Sequence, residues 1–463
     1  MHSKAHPCPQ PSPFTTAAPD GGDQALVRAG YRPQLRRTLG LRQLLAYGLV
    51  FMVPIAPFGI FGGVFQASGG MVVLAYAVGM AVMLVTAVSY AQMVRAFPMA
   101  GSVYNYAGRG IAAPVGFLAG WAILLDYVLV PGLLALIAAV GMHAAVPAVP
   151  VWGWIIGFLV LNTVINLRGI RLTAAVTVWF LVAELLVLAV YLAVAGWALA
   201  HGRGRGLHPQ VLLDAVVNPS TAAVAVVFSG VSVGMLSFLG FDGISMLAKE
   251  SRGGARQVGV AMTGALLLAG VLFVAQTWVA SLLVADPAGL ITHGDPGGTA
   301  FYDTARVAGG SWLATLTAVA TALAWGVANS LVAQVATSRL LFAMARDRQL
   351  PGFLARVSVR QMVPVPAVLL VAAVSLGLGL SMAARPDGIA VLSSLVNFGA
   401  ICAFITLHAS VLCHHLVRGR SRNLLVHLVV PVVGIGLLTA VAINANVAAQ
   451  RVAGFDLMVA ASA

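Results

Sequence analysis

The sequence predicts an all-α polytopic membrane protein, in which two five-span repeats of opposite polarity are followed by a peripheral helix. Three observations predict it. Of 463 residues, 60% are hydrophobic and only 8% are charged, against roughly 25% charged in an ordinary soluble domain. Apolar runs long enough to cross a bilayer recur along the chain. The first and sixth of these runs carry Gly, Pro and polar residues in their middles. The composition alone excludes a soluble enzyme.

Taken in order, residues 1–38 are polar and rich in Pro, Gly and Ala, with no short apolar core ending in small residues. They read as a disordered cytoplasmic tail rather than a cleavable signal. A span needs about 20 apolar residues to cross about 30 Å of hydrocarbon. Spans 1 to 5, near 41–65, 71–95, 112–140, 151–167 and 173–199, form the first repeat, about 41–199. Spans 6 to 10, near 222–248, 257–284, 311–344, 365–383 and 388–416, form the second, about 222–416. Span 11, near 425–447, completes a transporter domain of 39–448, and 449–463 is a remnant too short and polar for a twelfth span.

Orientation follows from positive charge, which cytoplasmic loops retain. With the N-terminus inside, Arg36, Arg37, Arg42, Arg95, Arg109, Arg168, Arg171, Arg346, Arg348, Arg418, Arg420 and Arg422 all fall on the cytoplasmic side. The other side keeps Arg203, Arg205, Arg306, Arg385 and Arg451 beside Asp286, Asp295, Asp303 and Asp387. The chain is therefore expected in the plasma (inner) membrane with a cytoplasmic N-terminus.

Span 1 reads Pro54-Ile55-Ala56-Pro57-Phe58-Gly59-Ile60-Phe61-Gly62-Gly63, and span 6 reads Ser237-Phe238-Leu239-Gly240-Phe241-Asp242-Gly243-Ile244-Ser245. Both should break near the membrane centre, because Pro and Gly there cost helical hydrogen bonds. Irregular backbone at that depth is tolerated where it lines a cavity, and breaks at matching places in two halves point to a transporter. Gly and Pro also serve plain close packing in membrane helices. The five-span spacing and the acid within the second break favour the transporter reading.

Three carboxylates lie deep in apolar runs: Asp126 in span 3, Glu184 in span 5 and Asp242 at the second break. A charge at that depth costs at least about 2.5–3.5 kcal/mol on insertion scales, so it normally faces a polar cavity or partner. Asp242, in unwound backbone, can meet a substrate ammonium or act as a proton-linked switch. Asp126 either joins it or hydrogen-bonds a neighbouring helix. Glu184 either couples transport to a proton gradient or is a packed neutral acid. In span 8, Asn329 and Ser330 either help coordinate sodium or bond between helices.

Backbone amides opening the second half of span 1 can hold a carboxylate, and free carbonyls at helix ends can hold an ammonium. The candidate substrate site is therefore Pro57, Phe58, Gly59, Ile60, Phe61 and Gly62 with Ser237, Phe238, Gly240, Phe241, Asp242 and Asp126. The four Phe residues serve as gates, as a side-chain pocket or as ordinary packing. A zwitterionic amino acid fits both ends of this chemistry, with the lipid bilayer as the surrounding partner.

Other classes lack their signatures. Nucleic-acid binding would gather the bases on one face with stacking aromatics. Cys8, Cys402 and Cys413 form no CxxC and no metal spacing. No paired catalytic set such as HExxH lies in the spans, so neither an enzyme nor a cofactor or metal is expected. No carbonyl filter or charged ring suggests a channel. A membrane nutrient sensor that binds the same substrate without net transport is the alternative, as either monomer or homodimer.

From about Leu35 to about residue 445 the chain resembles permeases of the amino acid–polyamine–organocation superfamily. The resemblance rests on Ser89-Tyr90, Arg95-Ala96-Phe97-Pro98, Ala100-Gly101-Ser102, Tyr104 and Tyr106, leading to Gly116-Phe117, Gly120-Trp121 and Leu125-Asp126-Tyr127. It continues in Phe238-Leu239-Gly240-Phe241-Asp242, Lys249-Glu250-Ser251, and Ser338 to Asp347 followed by Leu350-Pro351. Leu125-Asp126-Tyr127 before Pro131, with Asn397 to Ala400, looks most like the putrescine-permease branch. The resemblance implies a 5+5 inverted-repeat fold, uptake by alternating access, a site between spans 1 and 6, and drive from proton or sodium gradients. Two departures stand out: Gly59 occupies the span 1 break where an acid would serve a diamine, so a second anchor falls to Asp126, Glu184 or aromatic faces, and about eleven spans are found where the family usually has twelve.

Overall fold

Away from water, a backbone can close its hydrogen bonds only within its own helical turns, and each apolar run accordingly folds as a helix. The structure is a computed structural model that describes residues 39–445 apart from 99–101, 169, 249–250, 296, 347, 359–362, 386 and 420. The expected tail at 1–38 and remnant at 449–463 lie outside the described residues, as do Ala100, Gly101, Lys249, Glu250 and Asp347 of the quoted motifs.

Among the described residues, nine helices are long and apolar enough to span a membrane. The pair Leu41–Met52 and Pro57–Ala67, bent by 57°, makes a tenth if taken as one span, and the shorter apolar helix Val151–Leu167 stands where span 4 was expected. Four short helices join the spans: Ser102–Gly110, Pro209–Asp214, Pro287–His293 and Ala300–Gly309. The last two start where an Asp side chain can close an open helix end. The Asp286 carboxylate accepts from the Gly289 amide at 2.9 Å, and Asp295 accepts from Thr299 and Ala300 at 2.9 and 3.1 Å, in the manner of helix caps.

Both expected breaks are present. Span 1 stops at Met52, Val53 takes φ 54°, and the second half restarts at Pro57. Proline suits that first helical position because its missing N–H would have no partner there. Residues Phe58 to Gly63 are helical, so the irregular stretch is Val53–Ala56. Span 6 is α-helical over Val224–Gly234, tightens to a 3₁₀ turn over Met235–Phe238, and resumes as 3₁₀ over Phe241–Leu247. The turn between them has Gly240 at φ 103°, in the left-handed region that suits glycine.

The halves of spans 1 and 6 pack crosswise, the second half of span 1 on the first half of span 6 and the reverse. That antiparallel arrangement is what inverted repeats produce. Spans 3 and 10, and spans 2 and 7, pack closely around the pair. One face of the bundle carries the long loops 201–223 and 284–310, and the opposite face carries most of the described Arg residues.

Candidate functional site

The two breaks meet at a cavity of about 30 Å³ lined by Phe51, Met52 and Ala56 of span 1, Asp126, Tyr127, Val130 and Leu134 of span 3, Leu236, Leu239 and Gly240 of span 6, and Trp325 and Asn329 of span 8. That volume admits water but not a substrate, so the site is collapsed in this conformation. Phe51 is the wedge between the breaks. A Cβ at Gly240 would stand 2.8 Å from its ring, and one at Gly243 would stand 2.5 Å away, so only glycine lets this side chain in. Across the cavity Phe51 stacks on Tyr127 with centroids 6.2 Å apart.

Asp242 does not line the cavity. Its Oδ2 accepts from the Tyr127 hydroxyl at 2.7 Å, from Tyr90 at 3.3 Å and from the Ser102 hydroxyl at 3.4 Å. These three donors come from span 3, span 2 and the short helix after it. The junction motif, quoted above for its resemblance alone, thus supplies the shell of the second-break acid. Asp126 is the carboxylate at the cavity wall, and among the described residues no Lys or Arg shares that wall with it.

The local backbone around Tyr127 follows from Pro131. Lacking an N–H, Pro131 cannot bond the Tyr127 carbonyl four residues earlier. Thr337 of span 8 stands in, its Oγ1 2.6 Å from that oxygen. Ser330 likewise reaches the Pro131 carbonyl at 3.5 Å, so this member of the polar pair bonds to span 3. Its partner Asn329 belongs to a π-helical turn, Ala324–Asn329. The Gly326 carbonyl of that turn accepts from Asn162 of span 4 at 2.7 Å. Trp325 Nε1 and Asn329 Oδ1 are buried without a partner, which leaves one donor and one acceptor open on two residues of the cavity wall.

The remaining predicted residues fall elsewhere. Phe58 stacks on Phe301 with centroids 3.9 Å apart, and Phe61 and Tyr191 join them, making an aromatic plug towards the long-loop face. Gly62 faces Asp295 of the capping loop so closely that a Cβ would stand 2.2 Å from its carboxylate. Gly59 lies against Thr321 and Trp325. Phe238 packs with Tyr76 and Phe273, and Ser237 hydrogen-bonds Tyr76 at 3.0 Å. Phe241 packs with Tyr90 and Phe404 towards the Arg-rich face. Glu184 is buried in span 5 outside the cavity wall, with neither carboxyl oxygen hydrogen-bonded. Pro57 and Ile60 sit in the second half of span 1 behind this wall.

The aromatic residues at the cavity, Phe51, Tyr127 and Trp325, were not among the expected site residues. Tyr127 had a signal, standing beside a membrane-buried acid. Phe51 and Trp325 had none, because Phe51 enters where Gly240 and Gly243 of another span leave room and a π turn sets the facing of Trp325.

Comparison with known proteins agrees with this architecture. The family described as amino acid permease matches residues 51–450. The chain is 31% identical over 401 residues to the low-affinity putrescine importer PlaP of Escherichia coli, covering 85% of this chain and 84% of that protein. It is 30% identical over 405 residues to an uncharacterized transporter of Mycobacterium tuberculosis, covering 87% and 84%. It is 23% identical over 400 residues to the branched-chain amino acid permease BcaP of Bacillus subtilis, covering 82% and 81%. With broken spans 1 and 6 and a family match across nearly all of its described length, the chain belongs to the amino acid permease family of the amino acid–polyamine–organocation superfamily.

Proposed function

We propose that this permease imports putrescine or a diamine of similar size across the plasma membrane by alternating access, with its N-terminus cytoplasmic and a proton gradient as the drive. The transported class, amino acids or polyamines, comes with the family; the choice of a diamine rests on the span 1 break. A carboxylate site there would need free N–H groups at the start of a helix. Pro54 and Pro57 have none, and the amides of Ala56, Phe58 and Gly59 are spent on the carbonyls of Val53, Ile55 and Ala56 at 2.8, 3.0 and 3.2 Å. The Pro54 carbonyl is itself bonded by Gln276 of span 7 at 2.9 Å. What faces the cavity instead is the Asp126 carboxylate with three aromatic faces, a setting suited to an ammonium. The similarity to a protein named as a putrescine importer supports the same choice.

In this reading one amine meets Asp126 and the aromatic faces. The second reaches Asp242 once the Tyr127 hydroxyl yields its bond. The pair of broken spans then rocks against the span 3 and span 8 scaffold, opening one aromatic plug as the other closes. Glu184 takes up and releases the coupling proton, since a bare carboxylate without partners is costly in its position.

Labelled putrescine uptake into proteoliposomes under an imposed proton gradient tests the proposal. Saturable uptake that polyamines compete and neutral amino acids do not is expected. Absence of putrescine flux, with amino-acid flux in the same vesicles, overturns it.

A further inference from the structure

At the Arg-rich face, the end of span 10 meets the junction leading into span 3. There Phe97, Arg109, His414, His415, Arg418 and Ser421 line an open pocket of about 390 Å³, well apart from the residues of the central cavity. Two features make its chemistry one-sided. The first is the absence of acid: no Asp or Glu lines it among the described residues. The second is the fate of the helix ends. Carbonyl oxygens at a helix C-terminus would repel an anion, but here they are covered. The oxygens of Arg109 and Ile111 accept from the Arg418 guanidinium at 2.9 and 2.5 Å. Those of His414 and His415 accept from the amides of Gly419 and Ser421 at 3.0 and 2.8 Å.

Arg418 has five N–H groups, of which these two bonds use two. The imidazoles do not converge on a metal. His415 and His427 stack in parallel with centroids 4.0 Å apart, and His414 stands edge-on to His415 at 4.8 Å. Among the described residues no group of His, Cys, Asp or Glu is placed to hold a metal ion. His415 Nε2 is buried with no hydrogen-bond partner. The surroundings are apolar, for Val417, Leu424 and Leu425 beside the pocket are exposed on the bundle surface.

We propose that this pocket binds a phosphate group, held by Arg109, Arg418 and imidazole N–H donors, from either an anionic phospholipid headgroup or free inorganic phosphate. Basic pockets between membrane helices at the bilayer surface recognise such headgroups, and the flanking apolar side chains suit acyl chains.

The test uses the full-length protein in neutral detergent, titrated with dioctanoyl phosphatidylglycerol, with dioctanoylglycerol as the phosphate-free analogue, and with inorganic phosphate against chloride at equal ionic strength. Adducts are read by native mass spectrometry and unfolding midpoints by thermal shift. Phosphatidylglycerol should bind at least tenfold more tightly than dioctanoylglycerol. Arg109→Gln should lose that preference, Arg109→Lys should keep part of it, and putrescine uptake should be unchanged in both. Inorganic phosphate as effective as the lipid would identify the soluble anion as the source; an effect of the lipid alone would identify the headgroup. Equal binding of both glycerolipids with no effect of phosphate, or a preference untouched in Arg109→Gln, overturns the proposal.

Discussion

The hydroxyl of Tyr127 donates a 2.7 Å hydrogen bond to Asp242, joining the scaffold span that walls the cavity to the break of span 6. Asp242, which opens the 3₁₀ half of span 6 rather than lying in unwound backbone, is thus linked to the cavity wall through Tyr127. Hydrogen bonds to a charged group contribute about 1.5–3 kcal/mol. Asp242→Asn should lower putrescine uptake at least tenfold at normal membrane abundance, and Tyr127→Phe should lower it less. Unchanged uptake kinetics in Asp242→Asn would remove this acid from both anchoring and coupling.

Asp126 is the acid at the cavity wall itself. Removing its charge in Asp126→Asn should raise the KM for putrescine roughly ten- to hundredfold, corresponding to about 1.5–3 kcal/mol. Concentration-dependent uptake in proteoliposomes reads this directly. An unaltered KM would leave Asp126 a packing residue between spans 3 and 10.

Returning an amide to the span 1 break tests the proposed preference for a diamine over an amino acid. Pro57→Ala restores one N–H at the start of the second half-helix, worth about 1.5–3 kcal/mol to a carboxylate. Neutral amino acids should then inhibit putrescine uptake roughly ten- to hundredfold more strongly than in the wild type. A competition profile that does not move would separate substrate choice from these prolines.

Asn162 of span 4 donates to the Gly326 carbonyl in the π turn. Asn162→Ala leaves that buried oxygen unsatisfied, at about 1–3 kcal/mol. The unfolding midpoint in detergent should drop by several degrees. A midpoint equal to that of wild type would mean another donor replaces Asn162.

Asp295 sets a pH dependence in the loop over span 1. Burial raises its carboxyl above the ordinary range, against the pull of the Ala300 and Thr299 amides. The folded protein therefore holds the proton more tightly than the unfolded chain does. Stability from this group is full below about pH 3.9 and declines as pH rises to the raised value. In a series of unfolding midpoints, Asp295→Asn should flatten that decline; an identical slope in both proteins would assign it elsewhere.

Spans and breaks were legible because they depend on run length and on Pro and Gly, which no neighbour can hide. The inward-facing residues were not. Gly59, Phe58 and Phe61 stand in the sequence at the first break, yet that break closes by Ala56, so these residues return to helix and pack outward of the cavity. Pro131 was visible in the sequence, but the compensating hydroxyl comes from Thr337, in another span. Asn329 stands out in the sequence as a polar residue, while Trp325 four residues earlier becomes its cavity neighbour through a turn no composition reveals.

A π turn is an α-helix holding one residue too many. Deleting a single residue within 324–329 would let span 8 anneal into an ordinary helix, with Leu313 before it and Thr337 after it still in their places. The scaffold and the wall of the cavity are therefore separable by one codon. Such a deletion would re-aim Trp325 and Asn329 at the wall while leaving the helix on either side intact.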